Sequence, residues 1–489
     1  MWSMFINHYL VKLLSFLTTV NFIYCGGNKN KGKGIKNKLK NNNGSILKGK
    51  RLSNYGNFGN IKYNIEKPIK KLTQEEKKIA YECSDIFDII VNNSDLQMAL
   101  RGYLLIAGVP KFTVGTAENN IFEGRKTHID NFLLKNSKVT RDEYFSFLET
   151  ISEFLQIKDS KKHFYVSDAD IKNNLFIKKD SKISTKDKKK LEKQVEARRE
   201  SEEFEHFLND YLDFRRNLIE NLDKDYIKNM LPRFLDFNDF PYKNSDYMRK
   251  YAFEEKYGDY PITCVSYLHY VEFCKWQTFC INEFLLESLI SFVKEKKIKP
   301  ENIPVEKKIL VIVYPVSYAE YTYACCCGNS KWLYSCGNFN ITDDDGNYKF
   351  NFNSGQNSNF DINITSVYKY PKNKYGLYDC TGNTSVWFRT NETEYIYDND
   401  DNKNNNGKDW RYGAFSRLID EGAKQYNVDY NKIDITKRVK MVSRGTCNST
   451  LSDVQNGKYD NCHIFEASPF LGFTTAAKVI TVSKKKNII

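Results

Sequence analysis

The segment Asn373–Trp387, with the sequence NKYGLYDCTGNTSVW, constrains the fold more than any other part of the chain. Gly376 and Gly382 permit backbone angles that residues with side chains resist. Asp379 and Asn383 can hydrogen-bond to turn amides, and the aromatic residues around them can cover the turn with rigid apolar area. This pattern is typical of an irregular, loop-rich fold in which tight turns, rather than long helices, fix the chain.

The composition supports a folded chain rather than a disordered one. Of the 489 residues, 41% are hydrophobic and 15% are aromatic, which suffices for a sizeable core in one large domain or in two or three smaller ones. The net charge is +13, but no helix-turn-helix, finger or RNP pattern occurs, and no basic stripe alternates with aromatic residues. We therefore expect no nucleic acid among the partners.

The N-terminus, residues 1–25, has the form of a lipoprotein-type signal segment. The apolar run Leu13–Tyr24 has the length of a signal peptide and is short for a bilayer span. Cys25 then introduces a polar, basic stretch, and this order predicts a bacterial lipoprotein cleaved before Cys25 and lipidated there. Such sites prefer a small residue before the cysteine, whereas Tyr24 is large, so plain secretion and an uncleaved anchor stay open.

The rest of the chain divides by composition. We predict a basic polar tether over residues 26–94, one domain over 95–482 and a basic tail over 483–489. The basic residues of the tether can lie against anionic lipid headgroups, or the tether can be a solvated linker.

Within the domain, apolar periodicity indicates several elements. Residues about 168–230 are predicted to form a charged helical insertion of one or two exposed amphipathic helices, since apolar residues recur at three- and four-residue steps in Leu191–Leu222 amid alternating charges. Val265–Ile290 is predicted to be helical, and Lys308–Tyr314 (KILVIVY) a buried strand because of its β-branched run. These elements predict an α+β fold with low regular secondary structure.

Common catalytic and metal-binding motifs are missing from the sequence. The 12 cysteines contain no CxxC pair and no Cys/His zinc spacing. No GxSxG elbow, HExxH helix or P-loop occurs, and the histidines are scattered singly. We assign no catalytic residue, no metal and no cofactor.

Further segments occur in a fixed order around the turn, and each is similar to part of one family pattern. Ile129–Phe147 is similar to "F-x-I-x-x-x-E-V-T-N-x-x-Y-x-x-F", and Asp259–Trp276 to "YPV-x-x-V-S-W-x-x-A-x-x-F-C-x-W". The other matching segments are Gly102–Gly115, Pro315–Gly337, Lys440–Cys447 and Leu471–Phe473. Over about residues 100–480, the chain thus resembles the formylglycine-generating-enzyme (FGE-sulfatase) domain. The resemblance implies an FGE-sulfatase-like (C-type-lectin-like) fold.

Within that family, Leu231–Leu286 looks closest to gliding-motility lipoproteins of the J and K types. This resemblance implies an outer-membrane lipoprotein that faces the periplasm. It also implies an oligomeric assembly with other subunits of the gliding-motility and type IX secretion apparatus, held to the membrane by the lipid anchor.

The departures from the family pattern concern the residues that carry its chemistry. Catalytic members have two cysteines five residues apart that bind copper and oxidise a substrate cysteine, whereas here Cys447 is followed five residues later by Ser452. One thiol does not supply the converging soft ligands that copper(I) needs, and Cys462 with its neighbour His463 gives no recognised oxidase geometry. Family members can also hold calcium near the Gly-Asn turn, but the oxygen-bearing side chains there more commonly close turns.

Three functions follow from these observations. We expect a non-enzymatic, lipid-anchored envelope protein that is a structural component of a secretion or motility ring. The alternatives are a formylglycine-type cysteine oxidoreductase and a diverged secreted glycoprotein, since four Asn-x-Thr acceptor patterns begin at Asn340, Asn363, Asn391 and Asn448.

The residues that we expect to matter are structural, and they lie at the turn, at a strand entry and near the C-terminus. They are Gly376, Leu377, Tyr378, Asp379, Gly382, Asn383 and Trp387 at the turn, Tyr260 and Pro261 at the strand entry, and Gly472 and Phe473 near the C-terminus.

Overall fold

The structure is a computed structural model. It describes residues 73–114, 125–157, 164–178, 188–235, 245–337, 341–355, 364–389 and 439–482, together with 415 and 418. All of them belong to one compact unit, Arg51–Ile489. The signal segment with Cys25, the tether up to residue 72 and the tail 483–489 lie outside the described residues. Within the described ranges, none of the helices combines the length and apolarity that crossing a membrane requires.

A four-stranded antiparallel sheet forms the centre of the fold. Its strands, in spatial order, are β1 (Tyr103–Ile106), β4 (Phe132–Lys135), β10 (Thr475–Thr481) and β5 (Ile309–Pro315). Strands β1 (YLLI) and β4 (FLLK) are buried along their whole length, including Lys135 at the end of β4. Because β10 lies between β4 and β5, the C-terminal part of the domain connects the N-terminal strands of the sheet to β5.

In the described part of the chain, three two-stranded ladders supplement this sheet. Two are antiparallel and one is parallel, and all are short, as expected where turns determine the path of the chain. They are β2 (Val109–Val114) with β3 (Arg125–Ile129), β7 (Val439–Ser443) with β8 (Tyr459–His463), and the parallel pair β6 (Ser385–Val386) with β9 (Leu471–Gly472).

The helices are longer than the predicted low content of regular structure suggests. They are α1 (Gln74–Val91), α2 (Ser94–Ala99), α3 (Arg141–Gln156), α4 (Asp168–Leu175), α5 (Lys188–Glu220), α6 (Lys224–Met230), α7 (Ser245–Phe253), α8 (Tyr267–Lys296) and α9 (Tyr318–Cys325). Short 3-10 turns lie at Arg233–Leu235, Glu255–Tyr257, Pro300–Asn302 and Val305–Lys307. The mixture of helix and sheet agrees with the predicted α+β class.

Helix α8 is the central helix, and two of its side chains bind the outer edge of β5. The hydroxyl of Thr278 accepts a hydrogen bond from the amide of Val313 at 2.9 Å and donates to the carbonyl of the same residue at 3.1 Å. One turn later, the side-chain amide of Asn282 makes the same two bonds with Val311, at 2.6 and 2.8 Å. The outward backbone groups of Val311 and Val313, in the middle of the edge strand, are therefore paired by a helix rather than by another strand.

Helix α1 lies inside the range predicted as the tether. Thr73 caps it in a capping box with Glu76, and its buried residues Ala80, Cys83 and Ile90 belong to the main core. Their three- and seven-residue spacing is an amphipathic pattern, which the dense Lys and Glu around it obscure. The folded region thus includes helix α1, which precedes residue 95.

The predicted charged insertion is helical, but its apolar side is not exposed. It comprises α4, α5 and α6, and Phe204, Leu208 and other apolar residues of α5 lie in the main core. Arg215 of α5 is fully buried and forms an ion pair with Glu283 of α8 at 3.1 Å. The second half of α5 is therefore part of the core packing rather than an exposed helix.

Candidate functional site

The turn at Asn373–Trp387 is organised by its first residue. The side-chain oxygen of Asn373 accepts hydrogen bonds from the amides of Tyr375 and Leu377, both at 3.0 Å. Its side-chain nitrogen donates to the carbonyl of Ala324 at the end of α9, at 3.0 Å. Gly376, which lies between Tyr375 and Leu377 in the chain, has a φ of +96°, a conformation for which glycine is suited.

Asn373 was not among the predicted site residues. The signal that could have identified it is its position two residues before an aromatic-glycine pair, since Asn commonly bonds the backbone two residues on.

The buried polar centre of the turn consists of Asp379, Asn383 and Lys138. The side-chain nitrogen of Asn383 donates to the Asp379 carboxylate at 2.9 Å, and the Lys138 ammonium lies 3.3 Å from the same carboxylate. Burial raises the pKa of Asp379 to about 6, although Lys138 and Asn383 act in the opposite direction. Lys138 was missed because its sequence neighbours give no sign of the distant turn.

Asn383 also connects the turn to two other loops. Its side-chain oxygen accepts hydrogen bonds from the Thr365 amide at 3.0 Å and from the side-chain amide of Asn351 at 2.9 Å. Both Asp379 and Asn383 have positive φ, 55° and 63°, and Asn and Asp are the non-glycine types that tolerate this region best. Each of the two residues thus adopts the positive φ that the turn requires and also supplies a hydrogen-bonding side chain at its centre.

Gly382 lies against the backbone of a neighbouring loop. Its φ is +72°, and a Cβ placed on it would lie 2.0 Å from the carbonyl oxygen of Asn351. A side chain at this position would therefore be both strained and in contact with backbone that cannot rotate away.

Three more of the predicted residues lie along the same segment. Leu377 is buried. The amide of Tyr378 donates to the carbonyl of Asn136 at 2.7 Å, and its ring lies edge-on to Tyr368 with centroids 5.2 Å apart. Trp387 is fully buried in the main core beside Tyr267 rather than over the turn.

Gly472 and Phe473 join this segment to the C-terminal part of the domain. The amide of Trp387 donates to the carbonyl of Gly472 at 3.2 Å, and a Cβ on Gly472 would meet the Ile262 carbonyl oxygen at 2.4 Å. Phe473 is buried and stacks on Tyr270 with centroids 4.6 Å apart.

Tyr260 and Pro261 do not enter a strand, contrary to the prediction. The Tyr260 carbonyl accepts a hydrogen bond from the amide of Arg141 at 2.8 Å, and Pro261 forms an isolated bridge with Thr140, the N-cap of α3. Because proline has no amide hydrogen, it does not extend a ladder. The pair instead fixes the start of α3.

A small cleft, with a cavity volume of about 20 Å³, lies beside the turn. Its walls come from α9, from the turn and from the loop between β7 and β8, and they include Tyr321, Cys325, Cys380, Phe388, Arg444 and Lys458. Arg444 lies 3.6 Å from both Asp453 of the loop and Asp460 of β8, so these two carboxylates compensate its charge.

Cys447 lies in this loop as a buried residue. Its amide donates to the carbonyl of Asn383 at 2.9 Å, and its thiol contacts the side-chain oxygen of Asn448 at 3.8 Å. Ser452, five residues later, is exposed. Cys462 lies within β8, opposite Lys440 of β7, whereas Cys447 lies in the loop beyond the end of that ladder.

Several thiols of the described region are poor nucleophiles. Burial raises the pKa of Cys326 and of Cys327 to about 12, and burial also raises the pKa of Cys462. A thiol rather than a thiolate is therefore present at neutral pH, and the thiolate is the form that attacks and binds metals. Among the described residues, no three His, Cys, Asp or Glu side chains are grouped so that they could hold a metal ion.

Three solved structures are similar to this chain. A crystal structure of CarF shares 12% identity with a TM-score of 0.35, and the match covers 76% of this chain and 97% of that chain. PvdO from Pseudomonas aeruginosa shares 13% identity with a TM-score of 0.35, covering 77% of this chain and 94% of that chain. Treponema denticola variable protein 1 shares 12% identity with a TM-score of 0.33, covering 76% and 93%.

Among curated proteins, none matches the chain. The family model for FGE-sulfatase, the sulfatase-modifying factor enzyme 1-like domain, matches residues 94–479. This match covers most of the chain and confirms the family that the ordered segments around the Gly-Asn turn predict. The chain belongs to the FGE-sulfatase family.

Proposed function

We propose that this chain is a non-enzymatic member of its family, a lipid-anchored envelope protein that serves as a structural component of a gliding-motility and type IX secretion assembly. Its site is a binding and packing surface rather than a centre of redox chemistry. We also propose that the fold is C-type-lectin-like and that residues 168–230 are an insertion in it. Residues 483–489 are proposed to form a basic C-terminal tail.

The observation that carries the non-enzymatic part is the placement of Cys447 and Ser452. The oxidase chemistry of the family requires two thiols five residues apart. Here the first position is a buried cysteine and the second is an exposed serine, which supplies no soft ligand. Cys447 then fills an apolar position, as free or buried cysteines commonly do.

The structural role is supported by how the turn is built. Asn373 bonds the end of α9, and Asn383 bonds Thr365 and Asn351, so the turn is connected to one helix and to two neighbouring loops. Rigid, irregular loops with tyrosine side chains at the surface suit contacts with other proteins. Tyr348 and Tyr368 are such side chains, exposed by 39% and 47%.

The envelope location rests on the N-terminal sequence. The apolar run before Cys25 and the basic residues that follow it favour a lipid anchor facing away from the cytoplasm. The similarity of Leu231–Leu286 to gliding-motility lipoproteins favours that machinery among envelope assemblies.

The test has two parts. The protein is extracted from its native membrane in mild detergent, its N-terminal peptide is weighed, and the proteins that co-purify with it are identified. We expect a diacylglyceryl group on Cys25 and a large complex of defined composition. A monomer with an unmodified N-terminus would contradict both the anchor and the assembly role.

The second part distinguishes the oxidoreductase alternative. Purified protein is loaded with copper(I) and incubated with a cysteine-containing peptide in the presence of oxygen, and the peptide mass is followed. We expect no conversion, and the same result for Cys447→Ser. Conversion that Cys447→Ser abolishes would establish an enzyme and refute the proposal.

A further inference from the structure

The side chain of Lys138 lies inside the domain, against the turn that contains Asp379. Lys138 follows β4 in the chain, and its side chain is only 2% exposed. The ammonium donates a hydrogen bond to the carbonyl oxygen of Gly382 at 2.8 Å and lies 3.3 Å from the Asp379 carboxylate. A buried ammonium keeps its charge only where oxygen atoms replace its water, and these two oxygens do so.

The oxygen atoms of the turn form a negatively charged site. The Asp379 side chain is 3% exposed, and Asn383 holds one of its carboxylate oxygens by a hydrogen bond of 2.9 Å. A carboxylate that has lost its water is strongly destabilised unless a positive charge is nearby. The turn therefore needs a cation beside Asp379, close to the carbonyl of Gly382.

A divalent metal is one way to supply that charge, and calcium is the ion that family members can hold near this turn. Calcium prefers roughly six to eight oxygen ligands, mainly carboxylates and carbonyls. Here the ammonium of Lys138 occupies the space between the carboxylate and the carbonyl that such an ion would use. The residues present therefore do not fit a divalent metal.

The comparison with the family pattern also indicates that a basic residue stands where an acidic one is usual. In the family pattern to which Ile129–Phe147 is similar, "E-V-T-N" stands where this chain has Lys138-Val139-Thr140-Arg141. An acidic residue is thus replaced by a basic one at the position that reaches the turn.

We propose that Lys138 is a built-in cation of the Gly-Asn turn, which takes the place of a bound divalent metal and makes the folded domain independent of calcium. A cation attached to the chain does not dissociate, so the turn stays formed in any metal environment. The geometry that carries this proposal is the contact of one buried ammonium with both the carboxylate of Asp379 and the carbonyl of Gly382.

The test measures thermal unfolding of the full chain in EDTA and in excess calcium chloride. For the wild type we expect the same Tm in both. Lys138→Met leaves the carboxylate without its cation, and we expect a Tm lower by several degrees. The double variant Lys138→Met/Asp379→Asn removes the stranded charge as well, and we expect it to recover part of that loss.

The metal exchange is tested with Lys138→Glu, which places a second carboxylate beside Asp379. We expect this variant to be destabilised in EDTA and to regain several degrees of Tm in calcium chloride. Lys138→Glu/Asp379→Asn is the matched control, and we expect its response to calcium to be much smaller.

Two results would overturn the proposal. One is a wild-type Tm that rises in calcium and loses this rise in Asp379→Asn, because the turn would then bind the metal despite Lys138. The other is a Lys138→Glu variant that calcium does not stabilise, because the position would then not be a cation site. If Lys138→Met fails to fold, the wild type and Asp379→Asn still show whether the turn binds calcium.

Discussion

Trp387 donates its indole N–H to the backbone carbonyl of Val265 at 3.0 Å, inside the main core. Val265 directly precedes Ser266, the N-cap of the central helix α8. The end of the turn segment and the start of the longest buried helix are therefore held together by one buried hydrogen bond. The turn thus fixes the position of the central helix as well as its own loops.

Trp387→Phe tests this connection. The variant leaves the Val265 carbonyl without its donor, and an unsatisfied buried acceptor costs about 1–3 kcal/mol, to which the smaller ring adds a packing loss. We expect a free energy of unfolding lower by at least this amount in a urea titration. Trp332→Phe is the matched control, because Trp332 is half-buried, and we expect it to lose less than about 1 kcal/mol.

Gly382→Val is expected to prevent folding of the domain. The Cβ of the new side chain would lie only 2.0 Å from the Asn351 carbonyl oxygen, and the valine would have to adopt an unfavourable φ of +72°. Gly346→Val is the control, since Gly346 has a φ of +82° but nothing within 4 Å of a Cβ. The free energy of unfolding of this control should fall only by the conformational cost, about 1–2 kcal/mol. Equal melting temperatures for Gly382→Val and the wild type would refute the close approach.

His269 is expected to make the domain less stable in acid. Burial lowers its pKa from 6.5 to about 4, so between these values the unfolded chain binds a proton that the native histidine does not. The free energy of unfolding therefore falls as the pH drops from about 6.5 to about 4, by roughly 1.4 kcal/mol per pH unit at most. Below about pH 4 this residue contributes no further loss.

The pH effect is isolated by substitution. His269→Gln keeps a residue that can complete the capping box with Ser266 but does not titrate, so we expect a smaller loss of stability between pH 6.5 and 4. His206→Gln is the control, because that side chain is 54% exposed. An acid dependence that is the same in His269→Gln and the wild type would show that His269 is not its source.

Asn282→Ala is expected to destabilise the sheet edge. It leaves the amide and the carbonyl of Val311 without partners in a buried place, and each such group costs about 1–3 kcal/mol. We expect a loss of roughly 2–5 kcal/mol in chemical denaturation. Asn217→Ala, at an exposed position of α5, should change the free energy by less than about 0.5 kcal/mol. A similar result for both variants would exclude the role given to Asn282.

The sequence predicts those parts of the fold that local patterns encode. The run KILVIVY becomes most of β5 because its β-branched residues favour a strand. The segment Val265–Ile290 becomes most of α8, with Val265 just before the N-cap. The turn residues Gly376 and Gly382 are predictable from their backbone requirement alone.

The remaining features depend on partners that are distant in the chain. Lys138 and Asp379 are separated by more than two hundred residues, and no local pattern marks a lysine as buried. In α1 and α5, dense charge obscures apolar positions that tertiary packing then buries. The strand expected at Tyr260-Pro261 fails because proline contributes an isolated bridge and no ladder.

The pairing of Thr278 and Asn282 with β5 has a consequence for assembly and for synthesis of the protein. An apolar strand at the edge of a sheet is a template on which another chain can add a strand, but here the outward-facing backbone groups of Val311 and Val313, in the middle of the strand, are already engaged. Subunits that associate beside Val311 and Val313 must therefore do so through side chains, without sharing the sheet at these residues. Since α8 precedes β5 in the chain, the ribosome releases the helix before the aggregation-prone strand that it shields.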